Sequence, residues 1–278
     1  MKKYYLFIAL AMVAAMSVSC KNNNRKAKET SEATAEVVEA AKTILTDDVL
    51  ATLDELAESF KNEENVVDVQ SIITSSLTEE EMLVKPDYLL EAAQANEMVT
   101  KAQKISALAV FYVERPIRKA FGMPVDEIDE VIARLAANIN FPISSKEDQD
   151  NRPVSERFSK FYNSCVENGD IAHFWQFAFA IQNELGYLIS NNPEAFFRNL
   201  TEEQYTAFHN RFHTAIKAVE TLAEYDADVK AAWDAFNAAK AFDNSGETDK
   251  MHATIETAKV DLPARKEAYA ARRAALLK

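Results

Sequence analysis

Glycine is scarce in this chain, with four residues in 278, whereas average usage near 7% would give about twenty. Hairpin turns and phosphate-binding loops both depend on glycine, because they need positive φ angles or a close backbone approach. We therefore predict an all-α fold, a multi-helix bundle with long C-terminal helices. The sequence also lacks an EF-hand loop, a P-loop, a nucleophile elbow and paired Cys-x-x-Cys motifs, so it offers no recognised catalytic motif.

Basic residues are outnumbered by acidic ones. The chain has 31 lysines and arginines against 44 aspartates and glutamates, which gives a formal charge of −13. Nucleic acids attract basic surfaces, so this charge argues against a nucleic-acid partner. Hydrophobic residues make up 48% of the chain and supply enough material for a core.

Cysteine is the third scarce residue, present only as Cys20 and Cys165. The neighbouring Phe161 and Tyr162 predict that Cys165 is a buried thiol on a helix. No base stands at a spacing that indicates a nucleophile, so we interpret Cys165 as structural.

The first twenty residues, MKKYYLFIALAMVAAMSVSC, have the parts of a secretory signal peptide. Two lysines precede an apolar run, which is too short to span a bilayer and ends in small residues. Val18-Ser19-Cys20 resembles the lipobox of bacterial lipoproteins. The resemblance covers only this segment and implies that residues 1–19 are removed as a signal peptide and that Cys20 carries the lipid.

The residues after Cys20 set the expected location. The segment KNNNRKAKETS has no apolar periodicity, so residues 20–31 are predicted to form a flexible tether, followed by a single all-helical domain over 32–278. The composition looks like that of Bacteroidetes lipoproteins, in which acids after the cysteine direct export to the surface. None of the five residues directly after Cys20 is acidic, which favours an anchor in the outer membrane on its periplasmic side over the cell surface.

Helix boundaries can be read from capping residues. Thr46, Thr78 and Thr201 each precede acidic residues, and the pairs Thr78 with Glu81 and Thr201 with Gln204 are capping boxes. Pro116 is expected to kink or split the helix that contains it. The predicted helices cover residues 32–44, 47–61, 64–76, 87–120, 124–139, 153–167, 170–190, 201–242 and 248–277. The predicted loops are 141–152 and 243–246.

Two histidine-containing segments are the candidate sites. His209 and His213 are four residues apart and share a helix face, and Glu220 continues it, so the three are candidate metal or haem ligands. The competing interpretation is that both histidines lie at the boundary of a buried stripe. Residues 171–189 form the most apolar helix, which we expect near the centre of the bundle. There, His173 and Trp175 are a candidate ligand pocket, with core packing as the alternative.

These observations leave three hypotheses for function. The first is a lipid-anchored, non-catalytic binding or scaffold module of the cell envelope, with an envelope protein or glycan as partner. The second is a metal- or haem-binding lipoprotein that uses His209 and His213. The third is an unrecognised hydrolase with clustered carboxylates. The missing catalytic motifs favour the first hypothesis, for which no cofactor is expected.

Overall fold

The computed structural model describes residues 45–62, 67–142, 154–239 and 254–278. In these residues all regular secondary structure is helical, without strands, as predicted, and a 3-10 helix (Ala92–Glu97) precedes α4. The α-helices are α1 (Asp47–Lys61), α2 (Val69–Ser76), α3 (Glu79–Leu83), α4 (Lys101–Ala120), α5 (Asp126–Asn138), α6 (Val154–Asn168), α7 (Ile171–Asn191), α8 (Pro193–Phe197), α9 (Glu202–Leu222), α10 (Ala227–Ala238) and α11 (Ile255–Leu276).

The predicted capping threonines all begin helices. Thr46 caps α1 by accepting a hydrogen bond from the N–H of Val49. The capping boxes of Thr78 and Thr201 are both formed, at the starts of α3 and α9. Each threonine oxygen satisfies a backbone N–H group that the first helical turn leaves without a partner.

The apolar helix α7 is the centre of the packing, as predicted. All of its residues except Tyr187 and Asn191 are buried, and it packs mainly against α4, α9 and α11. Gly186 permits a close approach of α11, because a Cβ atom there would lie 2.4 Å from the Tyr269 ring. A helix that is apolar on every side is stable only when other helices surround it.

The predicted helix 87–120 is wrong over residues 87–100. Thr100 caps α4 together with Gln103, so the long helix begins at Lys101. The preceding backbone is held out of the helix by two buried side chains of α4: Leu90 donates its N–H to the Glu114 carboxylate, 2.9 Å away, and its carbonyl accepts from Arg118. Pro116 does not split α4, which continues to Ala120.

The predicted helix 201–242 is also wrong, because it is two helices. α9 ends at Leu222, and Asp226 caps α10 by accepting hydrogen bonds from the N–H groups of Asp228 and Val229 at 2.9 and 3.0 Å. The apolar pattern continues across this break, so periodicity alone could not locate it.

Other boundaries shift by smaller amounts. Asp68 caps α2, which begins at Val69, and Thr254 caps α11, which begins at Ile255; the predicted starts of these two helices, at 64 and 248, lie outside the described residues. The short helices α3 and α8 were absent from the predicted set. The ends of α5, α6 and α7 agree with prediction within two residues.

Several predictions concern residues outside the described ranges: the signal peptide, Cys20 and its tether, the helix 32–44, most of the loop 141–152 and the turn 243–246. Among the residues that the structure describes, no helix has the combination of length and apolar character required to cross a membrane.

Candidate functional site

A buried arginine on α9 is the most unusual side chain of the described structure. Arg211 is only 4% exposed. Its guanidinium carbon lies 4.1 Å from the centre of the Phe60 ring and 4.9 Å from that of Phe158. The two aromatic rings attract the cation through their faces. The contacts leave the edge of the guanidinium as the part that must find hydrogen-bond acceptors.

The guanidinium edge of Arg211 has no hydrogen-bond acceptor in the part of the chain that the structure describes. The Nε and Nη2 atoms of Arg211 are buried without a hydrogen-bond partner. Burial lowers the pKa of Arg211 from 12.5 to about 10, so the side chain still carries its charge at neutral pH. An arginine with these two donors free can receive a carboxylate by two parallel hydrogen bonds.

Arg211 lines an inner cavity of about 50 Å³ between α2, α4, α6, α7 and α9. Since one water needs about 10–15 Å³ by this measure, the space holds about three or four non-hydrogen atoms. Polar groups at its wall include Tyr112, Arg157 and Gln182, and Oε1 of Gln182 is buried without a partner. The apolar wall is formed by Val67, Val113, Phe158, Phe161, Phe177, Ile181 and Leu185.

An outer cavity of about 400 Å³ adjoins the inner one. The two share four lining residues, Asp68, Gln70, Tyr112 and Arg157. Arg157 donates to the Tyr112 hydroxyl at 3.2 Å. The outer wall adds Arg115 and Lys119 among other residues, so a cationic, polar chamber leads to the apolar one that holds Arg211.

The side chains that line these two cavities are mainly cationic, neutral polar and apolar. Their described lining residues include no histidine, cysteine or glutamate, and the single acid, Asp68, caps α2 by accepting from the N–H of Ser71 at 2.9 Å. The cavities instead offer cations, hydroxyl and amide groups and an apolar wall.

A second buried charged group lies where α4, α7 and α11 meet. Glu114 and Glu184 have fully buried side chains, and Arg273 pairs with both, through Nη2 to Glu114 and through Nε, 2.8 Å from Oε2 of Glu184. Arg118 adds a weaker contact to Glu114 at 3.5 Å.

The pKa values of both glutamates are raised. Burial raises the pKa of Glu184 well above its ordinary value, against the opposing charge of Arg273, and the nearby Glu114 carboxylate raises it further. Burial also raises the pKa of Glu114, although Arg273 and the N–H of Leu90 oppose the shift. We interpret this group, called here the Glu–Arg–Glu cluster, as structural, because it fixes α11 and the segment at Leu90 onto α4.

The predicted metal ligands of α9 do not converge. His209 and His213 stack with ring centres 6.4 Å apart, both half-buried, as the boundary interpretation expects, and Glu220 is exposed. Burial lowers the pKa of His209 to about 3, and the charges of Arg265 and His213 contribute to this shift. The three ligand atoms do not come within 4.8 Å of one another. Metal or haem binding by these residues stays a prediction.

The two residues of the predicted ligand pocket on α7, His173 and Trp175, lie in different environments. Trp175 is fully buried and packs against Phe60 and Phe174, with ring centres 5.5 and 5.3 Å away. His173 lies in the first turn of α7, beside charged residues of α4 and α10.

Cys165 is buried, as predicted, and burial raises the pKa of its thiol.

Sequence analysis overlooked Arg211, although a signal was present. It stands three residues after Phe208 and four before Ala215, so it occupies the apolar stripe of α9. A charged residue at a stripe position is a candidate for a buried function, because an unpaired charge in a core costs free energy.

Comparisons of this chain with protein-family models, with curated proteins and with solved structures found no match.

Proposed function

We propose that this chain is a non-catalytic binding module of the cell envelope, and that it holds an organic anion by a carboxylate placed on Arg211. The observation that carries the proposal is the buried guanidinium, which faces a cavity with two donors unpartnered. A buried charge without its partner is costly, and its desolvation amounts to several kcal/mol. A carboxylate ligand would offset that cost, which explains why such a residue is tolerated.

The two cavities limit the size and polarity of the ligand. The inner cavity has room for a carboxylate and about one further atom, so the rest of the ligand would lie in the outer cavity. There Lys119 and Arg157 favour a second anionic group. The sequence suggested an envelope protein or a glycan as the partner. The cavities favour a small acid, either free or as the terminal group of such a partner.

A series of six-carbon compounds tests the charge requirement. We expect adipate to raise the melting temperature of the chain most and hexanoate less. Hexanol, which has the same chain length without a charge, is expected to have almost no effect. At a ligand concentration of 100 times Kd the gain is about 2.7 kcal/mol, or roughly 5–10 °C for a chain of this size. Equal shifts for hexanol and the two acids, or no shift for either acid, would contradict the proposal.

The lipid anchor is a separate part of the proposal and rests on the lipobox resemblance of Val18-Ser19-Cys20. We expect cells that express the full chain to incorporate labelled palmitate into it and to retain it in the membrane fraction. The Cys20→Ser variant should lose both properties, while Cys165→Ser keeps them. Labelling that persists in Cys20→Ser would rule out Cys20 as the lipidated residue.

A further inference from the structure

A histidine and two aspartates meet where the N-termini of α7 and α10 come together. The ligand atoms of His173, Asp226 and Asp228 all lie within 4.8 Å of one another. His173 is 9% exposed, and its Nε2 atom is buried without a hydrogen-bond partner in the described residues. That atom faces Oδ2 of Asp228 at 3.9 Å, which is too long for a hydrogen bond.

The other ring nitrogen of His173, Nδ1, already has a polar contact. Nδ1 lies 3.3 Å from Oδ1 of Asp170, the residue before α7. When Nδ1–H donates to a carboxylate, the lone pair of Nε2 points away from it, and metal-binding histidines commonly have this second contact. In that tautomer the Nε2 lone pair is directed at the carboxylates of Asp226 and Asp228, and a metal ion between them would relieve the repulsion. In the other tautomer, which the contact of Lys101 Nζ with Nδ1 favours, Nε2 carries a proton there.

Distances and charge distinguish these two occupants. Metal–nitrogen and metal–oxygen bonds to zinc are about 2.0–2.2 Å, so the gap of 3.9 Å accommodates two such bonds meeting at a wide angle. Three aspartates and Lys101 leave the surroundings of a neutral His173 with a formal charge of −2. This negative charge attracts a cation to the cluster.

We propose that His173, Asp226 and Asp228 form a binding site for a divalent transition-metal ion such as Zn²⁺. The imidazole selects such an ion over Mg²⁺ and Ca²⁺, which prefer oxygen ligands. Three protein ligands leave further coordination positions for water or for a donor from a partner. The site is independent of Arg211 and of the proposed anion binding.

Lys101 is the group that competes with the metal. Its Nζ atom lies 3.3 Å from Nδ1 of His173, and its charge acts on Asp228. Because Lys101 is only partly buried, its side chain can move toward solvent when a cation binds. Removing its charge should therefore strengthen metal binding, whereas a simple salt-bridge cluster would bind no metal with or without it.

Zinc titration of the chain without a histidine tag, monitored by calorimetry and by bound zinc after dialysis, tests this site. We expect one Zn²⁺ per chain, with affinity reduced more than about 100-fold in His173→Ala and in Asp228→Asn, since even outer-shell changes at metal sites cost about 10–100-fold. Asp226→Asn should also weaken binding, while it keeps the cap of α10, because asparagine caps as well as aspartate. Lys101→Met should bind zinc more tightly than the wild type.

The double variant His209→Ala/His213→Ala is the matched control. It removes two histidines from α9 and should leave zinc affinity unchanged. The proposal is overturned if the wild type binds no zinc, if His173→Ala retains the wild-type affinity, or if the α9 double variant loses the metal. The last result would instead support the site predicted from the sequence at His209 and His213.

Discussion

Replacing Arg273 by methionine is expected to lower the free energy of unfolding by about 3–5 kcal/mol, because breaking a buried ion pair leaves an uncompensated charge. Arg273 is the cation that Glu114 and Glu184 share, and both of their side chains are fully buried. Methionine keeps the apolar part of the side chain but loses the guanidinium, whose carbon lies 4.6 Å from the centre of the Tyr187 ring, so the loss includes this cation–π contact as well as the ion pairs. Urea unfolding at neutral pH measures it.

The pH dependence of this loss follows from the carboxyl pKa values. The pKa values of Glu114 and Glu184 are already raised in the folded wild type, and loss of the guanidinium raises them further. A raised carboxyl pKa gives stability that is fully present below the unfolded value near 4.5 and is lost as the pH rises through the folded value. The deficit of the Arg273→Met variant should therefore be smaller at about pH 5 than at about pH 8.

A second substitution separates charge from packing. Adding Glu184→Gln to Arg273→Met removes one of the two unpaired carboxylates and should recover part of the loss at high pH. If Arg273→Met costs less than about 1 kcal/mol, which is the range of an exposed ion pair, or if its deficit does not change with pH, the Glu–Arg–Glu cluster does not have the role given to it here.

Replacing Arg211 by methionine is expected to act in the opposite direction on stability while it abolishes anion binding. The lowering of the Arg211 pKa from 12.5 to about 10 corresponds to roughly 3 kcal/mol of unfavourable burial, at 1.36 kcal/mol per pKa unit. Lost contacts to the rings of Phe60 and Phe158 offset about 1–2 kcal/mol of this. Without ligand, Arg211→Met should therefore be more stable than the wild type by about 1–2 kcal/mol in urea unfolding.

The binding effect of the same substitution is larger. Removing one partner of a buried, hydrogen-bonded charge pair costs about 2–5 kcal/mol, which is a loss of affinity of roughly 30-fold or more. Arg134→Met is the matched control, because Arg134 is exposed on α5. It should change neither stability nor binding. A variant of Arg211 that is less stable than the wild type without ligand would mean that the guanidinium is a structural group.

Local chemistry made much of the fold predictable. The threonine caps at positions 46, 78 and 201 satisfy backbone groups only one turn away, so they can be recognised from neighbouring residues. The burial of α7 and of Cys165 follows from a long apolar sequence. Where the prediction was wrong, at Leu90, the backbone is fixed by Glu114 and Arg118, more than twenty residues away.

The candidate sites could not be predicted in the same way, because they are assembled from distant parts of the chain. Arg211 on α9 meets Phe60 of α1 and Phe158 of α6. His173 on α7 meets Asp228, which was predicted to lie inside one continuous helix. His209 and His213 were predicted as ligands because their spacing on one helix is visible in the sequence. Residue pairs that form only when different helices pack cannot be recognised from spacing.

Calorimetric titration of adipate into the wild type, Arg211→Met and Arg134→Met tests the central claim most directly. We expect saturable binding of one adipate per chain by the wild type and by Arg134→Met, and none that can be detected by Arg211→Met, although this variant is folded and more stable. Equal binding by all three proteins, or by none of them, would show that Arg211 does not hold an organic anion.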